Sequence, residues 1–128
     1  MRFAFEFHDS EVRDVAVDGD AVHVRFAAAS VRDGQGRRGW LPSVRLTLVG
    51  ARLSGDARHA FGKLVEGRLD LDGQPVKPLA LPATLAGDLD LALRFANGTA
   101  LTLRGRKLVA SVADDALFAE DLDRRAHV

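Results

Sequence analysis

LAGDLDLALRFANGTALTL, residues 85–103, is the stretch that decides the fold class. Leu85, Gly87, Leu89, Leu91, Leu93 and Phe95 occupy odd positions, with Asp88, Asp90 and Arg94 between them. Asn97-Gly98 interrupts, and Leu101 and Leu103 resume around Thr102. Period-two alternation puts one face of a strand in the core and the other in water. An Asn-Gly pair between two such runs is a strong hairpin signal. Parity then selects the loop. The apolar set is odd on both arms, so a two-residue turn would set Arg94 opposite Leu101 on one face. A three-residue loop, Ala96-Asn97-Gly98, instead pairs Phe95 with Thr99, Leu93 with Leu101 and Leu91 with Leu103. Gly98 then takes the left-handed position of a type I turn with a G1 bulge.

Working outward, the same reading finds further strands. Val15 and Val17 precede Asp18-Gly19-Asp20, and Val22, Val24 and Phe26 follow it. Here the apolar parity changes, which calls for a two-residue turn. Val44, Leu46 and Leu48 alternate, as do Val65, Gly67, Leu69 and Leu71, with Glu66, Arg68 and Asp70 facing outward. Pro75, Pro78 and Pro82 place residues 74–82 at a sheet edge or an extended crossing, because proline lacks the ladder donor. Residues 57–61 read as one helical turn, and residues 31–39, rich in charge and glycine, as a mobile loop. Gly105 is expected to break its ladder and Leu108–Val112 to form a last short strand. Asp114 or Asp115 should cap a short C-terminal helix holding Leu117, Phe118 and Leu122, with Arg124 and Arg125 suiting the macrodipole near its end. Phe3, Phe5 and Phe7 form either a strand docked on the core or an arm prone to swapping. The expected fold is all-β: residues 1–128 form a single domain, an antiparallel sandwich or small barrel of about seven to nine strands with a short C-terminal helix.

Composition narrows the function classes. The chain has no cysteine, which excludes disulfides, thiolate metal sites and a cysteine nucleophile, and fits a reducing, cytoplasmic setting. Eighteen basic side chains balance eighteen acidic ones, which argues against a general nucleic-acid binder. No run is long and apolar enough for a membrane helix, and the alternating start, MRFAFEF, lacks the apolar core of a signal peptide. No phosphate-binding loop, dinucleotide fingerprint, nucleophile elbow or paired-histidine metal spacing occurs, so neither cofactor nor metal nor catalytic set is assigned.

Three polar segments remain as candidate binding residues. His8, Asp9 and Glu11 form the densest polar cluster, although neighbours on a strand face opposite ways unless the backbone bends. The structural alternative is that Asp9 or Ser10 satisfies turn groups while His8 packs at a sheet corner. His59 lies in an irregular segment from which it could meet His8 in space, and the favoured reading is a solvated loop histidine. Arg37, Arg38 and Trp40 could anchor an anion or a partner. Otherwise Trp40 closes one barrel end and the arginines are solvated.

The opener Phe7-His8-Asp9-Ser10-Glu11 with its Gly-turned hairpin resembles the start of a loose group of small bacterial all-β proteins. So does the string Leu81-Pro82, Gly87-Asp88-Leu89 and Phe95-Ala96-Asn97-Gly98. Some members of that group resemble immunity proteins, which neutralise the toxins of competing bacteria. The resemblance covers about half the chain and implies a non-enzymatic protein-binding module, with no catalytic residues to carry over. Two other readings stand beside it. One is a carrier holding a small apolar ligand in a barrel or sandwich cavity. The other is an enzyme using His8, Asp9, Glu11 and His59. A protein partner and a homodimer formed through an exposed edge strand are both expected modes of association.

Overall fold

The computed structural model describes residues 2–121. Among these, eleven strands carry the chain: β1 (Phe3–Asp18), β2 (Ala21–Arg32), β3 (Arg38–Leu41), β4 (Val44–Val49), β5 (Arg52–Ser54), β6 (Gly62–Leu71), β7 (Gln74–Pro75), β8 (Leu79–Leu81), β9 (Ala83–Phe95), β10 (Ala100–Val112) and β11 (Ala119–Glu120). Six of them close an antiparallel barrel in the order β2-β4-β10-β9-β6-β1, with β1 returning to β2. Of the two architectures the alternation allowed, the chain adopts the barrel. The extra strands are short additions of two to four residues: β3 and β11 extend β2, β8 pairs with β1, β5 with β10 and β7 with β6.

The β9–β10 hairpin forms as the parity requires. Leu93 faces Leu101 and Leu91 faces Leu103. The Phe95 amide donates to the Thr99 carbonyl at 2.8 Å, and the Gly98 amide to the Phe95 carbonyl at 3.0 Å. Gly98 has φ 91, a conformation that costs a residue with a Cβ more than it costs glycine. The first hairpin also follows its parity, turning in two residues and pairing Asp18 with Ala21 and Val17 with Val22.

One interior cluster fills the barrel. Phe5, Phe26, Leu46, Leu48, Leu64, Leu69, Leu91, Phe95, Leu103 and Leu108 are all buried in it. Phe3, Phe5 and Phe7 belong to β1 and dock on this core.

Several expectations need correction. Residues 114–118 are not helical; the chain turns there and enters β11 against β3, while Leu122, Arg124 and Arg125 lie outside the described residues. Phe118 stacks on Phe3 at 5.8 Å, so aromatic packing and strand pairing replace the helix. Gly105 does not break its ladder: β10 runs on to Val112, and the register shifts between Gly105 and Lys107. That shift moves the buried set from odd (Leu101, Leu103) to even (Leu108, Ala110) positions. Residues 33–37 form a tight hydrogen-bonded turn. The Asp33 side chain, 7% exposed, accepts from the amides of Gln35 and Arg37 and from Arg37 Nε at 2.7 Å. Burial pushes that carboxyl up, but these hydrogen bonds outweigh it and hold it below the usual carboxylate range. Val17 is exposed at the hairpin tip, and Val65 is pushed out of the core by a register shift between Leu64 and Glu66.

Candidate functional site

Two irregularities face each other across the side of the barrel where β1 passes β6. On β1 the register with β2 shifts between Glu6 and Glu11, because Glu6 faces Ser30 whereas Glu11 faces Ala28. Within the bulged residues, Asp9 has φ 68. Ser10 closes the bulge from inside. Its fully buried hydroxyl donates to the Glu6 carbonyl at 2.7 Å and accepts from the Ser30 amide at 2.8 Å. On β6 the opposing shift turns the Val65 carbonyl toward β1, where it lies 3.1 Å from His8 Nδ1. Bulges commonly re-aim side chains in this way beside functional sites.

Below these bulges, the backbone ladder between β1 and β6 consists of two pairs, Glu11 with Lys63 and Val12 with Gly62. Beyond that seam a groove of about 800 Å³ opens between β1, β6 and the proline-bearing segment of β7 and the residues after it. Its apolar surface comes from Phe5, Phe7, Val65, Leu69, Pro75 and Val76. Its rim carries Glu6, His8, Arg32, Glu66, Arg68 and Lys77. Most of these charges are already paired: Arg32 with Glu6 at 3.3 Å, Arg68 with Asp70 at 3.0 Å, and Glu66 with Arg94 at 2.9 Å. Lys77 makes no ion pair among the described residues, so the rim keeps one spare positive charge.

The residues singled out from sequence divide among several places. His8 lines the groove and is 69% exposed, with Nε2 lying 3.4 Å from Asp9 Oδ2. Positive φ at Asp9 supplies the bend that lets these neighbours meet. Asp9, Arg38 and Trp40 share a cleft of about 60 Å³ on the other side of the bulge, lined also by Ser30 and Asp121. Arg38 reaches Glu6 at 3.0 Å, so Glu6 links the cleft to the groove through Arg32 and Arg38. Trp40 is half-buried on β3 and lies outside the barrel core. Arg37 belongs elsewhere, paired with Asp33 at 2.7 Å and lying over the Phe118 ring. Glu11 is exposed at the seam.

His59 is held by Asp56, whose carboxylate lies 2.6 Å from its Nδ1, and its carbonyl accepts from Asn97 Nδ2 at 2.9 Å. It lines neither the groove nor the small cleft. The four residues of the enzyme reading therefore do not converge in either space. Sequence reasoning missed Lys77, Val76 and Arg32. The prolines around Val76 and Lys77 were the available signal, since they mark a segment that leaves the ladder.

Asp9 is also the electrostatic centre of the bulge. Lys63 Nζ, 3.1 Å from its Oδ1, holds the Asp9 carboxyl below the usual carboxylate range. Burial opposes that effect, and the charges of His8 and Arg38 add to it. A folded pKa that is depressed stabilises the fold above the unfolded value of about 3.9, and the gain is lost as pH falls through the folded value. Asn tolerates the left-handed backbone as Asp does, so Asp9→Asn isolates the charge. The variant should melt below wild type at neutral pH, with the gap closing in melts taken at progressively lower pH. A gap independent of pH would exclude the carboxylate as its source.

Ser10→Ala should cost about 1–3 kcal/mol in chemical denaturation, because it leaves the buried Ser30 amide without its acceptor. An unchanged denaturation midpoint would mean that the bulge reorganises to satisfy that amide.

No family model, curated protein or solved structure matches this chain. Among the described residues, no helix is long and apolar enough to cross a membrane, and no group of three or more histidines or carboxylates is placed to hold a metal ion.

Proposed function

We propose that this protein is a non-enzymatic binding module that takes an extended, mainly apolar segment of a protein partner into the groove between β1 and β6. The observation carrying this reading is the groove itself, about 800 Å³, walled by Phe5, Val65, Leu69, Pro75 and Val76 and rimmed by charge. Val65, turned out by its bulge, is an apolar side chain presented to an incoming segment. The spare charge of Lys77 fits a carboxylate on the partner. Neutralisation of a toxin, the role implied by the immunity-like resemblance, is the biological setting we assign to it. Absence of cysteine fits that work in the cytoplasm.

A photo-crosslinking residue placed at Val65, and separately at Val76, tests the proposal in cells of the native host. Thr47, on the outer face of β4 and outside the groove, serves as the control position. One protein captured from both groove positions, not captured from Thr47 and lost on Lys77→Glu, is the expected result. Capture that does not differ between groove and control positions overturns it. Capture of a second copy of this chain identifies a homodimer in place of a partner.

The size and apolar walls of the groove also favour a second reading, a small apolar ligand held in the same place. Native mass spectrometry of protein purified from its host separates the two, since a carrier retains a small bound mass and a peptide-binding module does not.

A further inference from the structure

On the opposite flank of β1 a different cluster forms. The register of β1 on β2 shifts again between Val12 and Asp14, which brings Arg13 and Asp14 beside Arg25. Arg25 is directly opposite Arg45 on β4, and Arg45 is directly opposite Ser111 on β10. Like charges opposed on adjacent strands repel, and among the described residues Asp14 is the carboxylate that answers them. It binds Arg25 through two bonds, at 2.5 and 3.0 Å, and lies 3.9 Å from Arg13 Nε. Arg45 makes no ion pair among the described residues, nor do Asp114 and Asp115 in the turn that follows. Ser43 holds φ 60, and a non-glycine residue in that region of backbone space is uncommon. Arg13, Arg25, Ser43, Arg45 and Ser111 line one depression of about 320 Å³.

The geometry points to a binding site for a phosphate group in this depression, either free phosphate or the terminal group of a small phosphorylated metabolite. The lining carries three guanidinium groups answered by Asp14, while Asp114 and Asp115 lie outside it; the two positive charges left are what a phosphate dianion balances and a single carboxylate does not. Guanidinium forks and serine hydroxyls are the donors that phosphate oxygens accept from. Bound between Arg25 and Arg45, the anion would turn a repulsive cross-strand pair into a bridged one. The site is separate from the groove and stands whether or not the groove holds a partner.

The test titrates inorganic phosphate, and in a second arm glycerol 3-phosphate, into the full chain at constant ionic strength set with sodium chloride. The amides of Arg45 and Ser111 are followed by NMR. Saturable shifts at both amides are expected, with affinity about tenfold weaker in Arg45→Gln and unchanged in Arg104→Gln, whose guanidinium is paired with Asp90 and lies outside the depression. Tighter binding of the ester identifies a phosphorylated metabolite as the ligand; equal binding identifies free phosphate. Without phosphate and at low salt, Arg45→Gln should melt no lower than wild type, because it removes the opposed charge. Shifts that do not saturate, equal affinity in Arg45→Gln, or a phosphate-free variant less stable than wild type would each overturn the assignment.

Discussion

Phe5→Ala should destabilise the protein by about 3–5 kcal/mol, the range for emptying a buried aromatic site that cannot collapse. Phe5 is 2% exposed and meets two other rings edge-on, Phe7 at 4.8 Å and Phe26 at 5.2 Å. Edge-to-face contacts of this kind add roughly 0.5–1.5 kcal/mol beyond the area buried. The residue also belongs to the short stretch of β1 that pairs with β2 on one side and β8 on the other, so relaxation into the cavity would strain two ladders. Urea denaturation measures the loss directly. A loss below about 1 kcal/mol would show that the N-terminal half of β1 is an arm lying on the barrel rather than part of its core.

Gly67→Val is the second large effect, expected at about 3 kcal/mol, the upper part of the usual range for overpacking. Gly67 lies where β1 crosses β6, and a Cβ there would sit 2.5 Å from Phe7 Cγ and 2.9 Å from Phe7 Cδ1. Those atoms are near the root of the side chain, so Phe7 could escape only if β1 moved with it. The nearest atom is Phe7 Cβ, which alanine would keep, so Phe7→Gly is the informative partner: it removes both the ring and the Cβ, and the two changes together should cost less than the sum of their separate losses. Losses that simply add in the double variant would place the clash elsewhere. Because Gly67 and Phe7 also line the groove, the same variant should reduce whatever crosslinking Val65 supports.

Legibility in the sequence followed locality. The β9–β10 hairpin could be read to the residue from Leu89 to Leu103, including its odd loop, because there the pairing partners are close in sequence and the core face is continuous. The class followed, since alternation recurs wherever strands pair. Closure into a barrel did not follow, because the pairing of β1 with β6 joins residues about fifty positions apart and leaves no local mark. The bulges were hidden for a related reason. Val65 reads as an inward residue by simple alternation, and only the shift against Arg94 and Phe95 turns it out.

The candidate site was legible in part. The cluster around His8 and Asp9 marked the β1 bulge, where Asp9 was expected to sit in a turn and has φ 68. Ser10 does the structural work anticipated for the cluster. Lys77 and Val76 went unnoticed because they enter the site through the course of the backbone, which sequence spacing does not encode. Arg37, Arg38 and Trp40 were grouped by adjacency, yet strand geometry separates Arg37, with its Asp33 and Phe118 contacts, from the cleft that Arg38 and Trp40 share.

The seam between β1 and β6 has a kinetic consequence. Two backbone ladder pairs close the barrel there, whereas β9 and β10 are zipped along nearly their whole length. Amide hydrogen exchange should therefore be graded around the circumference. Hydrogens at Val12 and Lys63 should exchange through a local parting of the seam, and those at Leu91 and Leu103 only through global unfolding. During folding the order reverses: the hairpin, with its short loop, forms early, and the long loop between β1 and β6 closes late. The barrel thus has a preferred line of opening, and it runs along the edge of the groove.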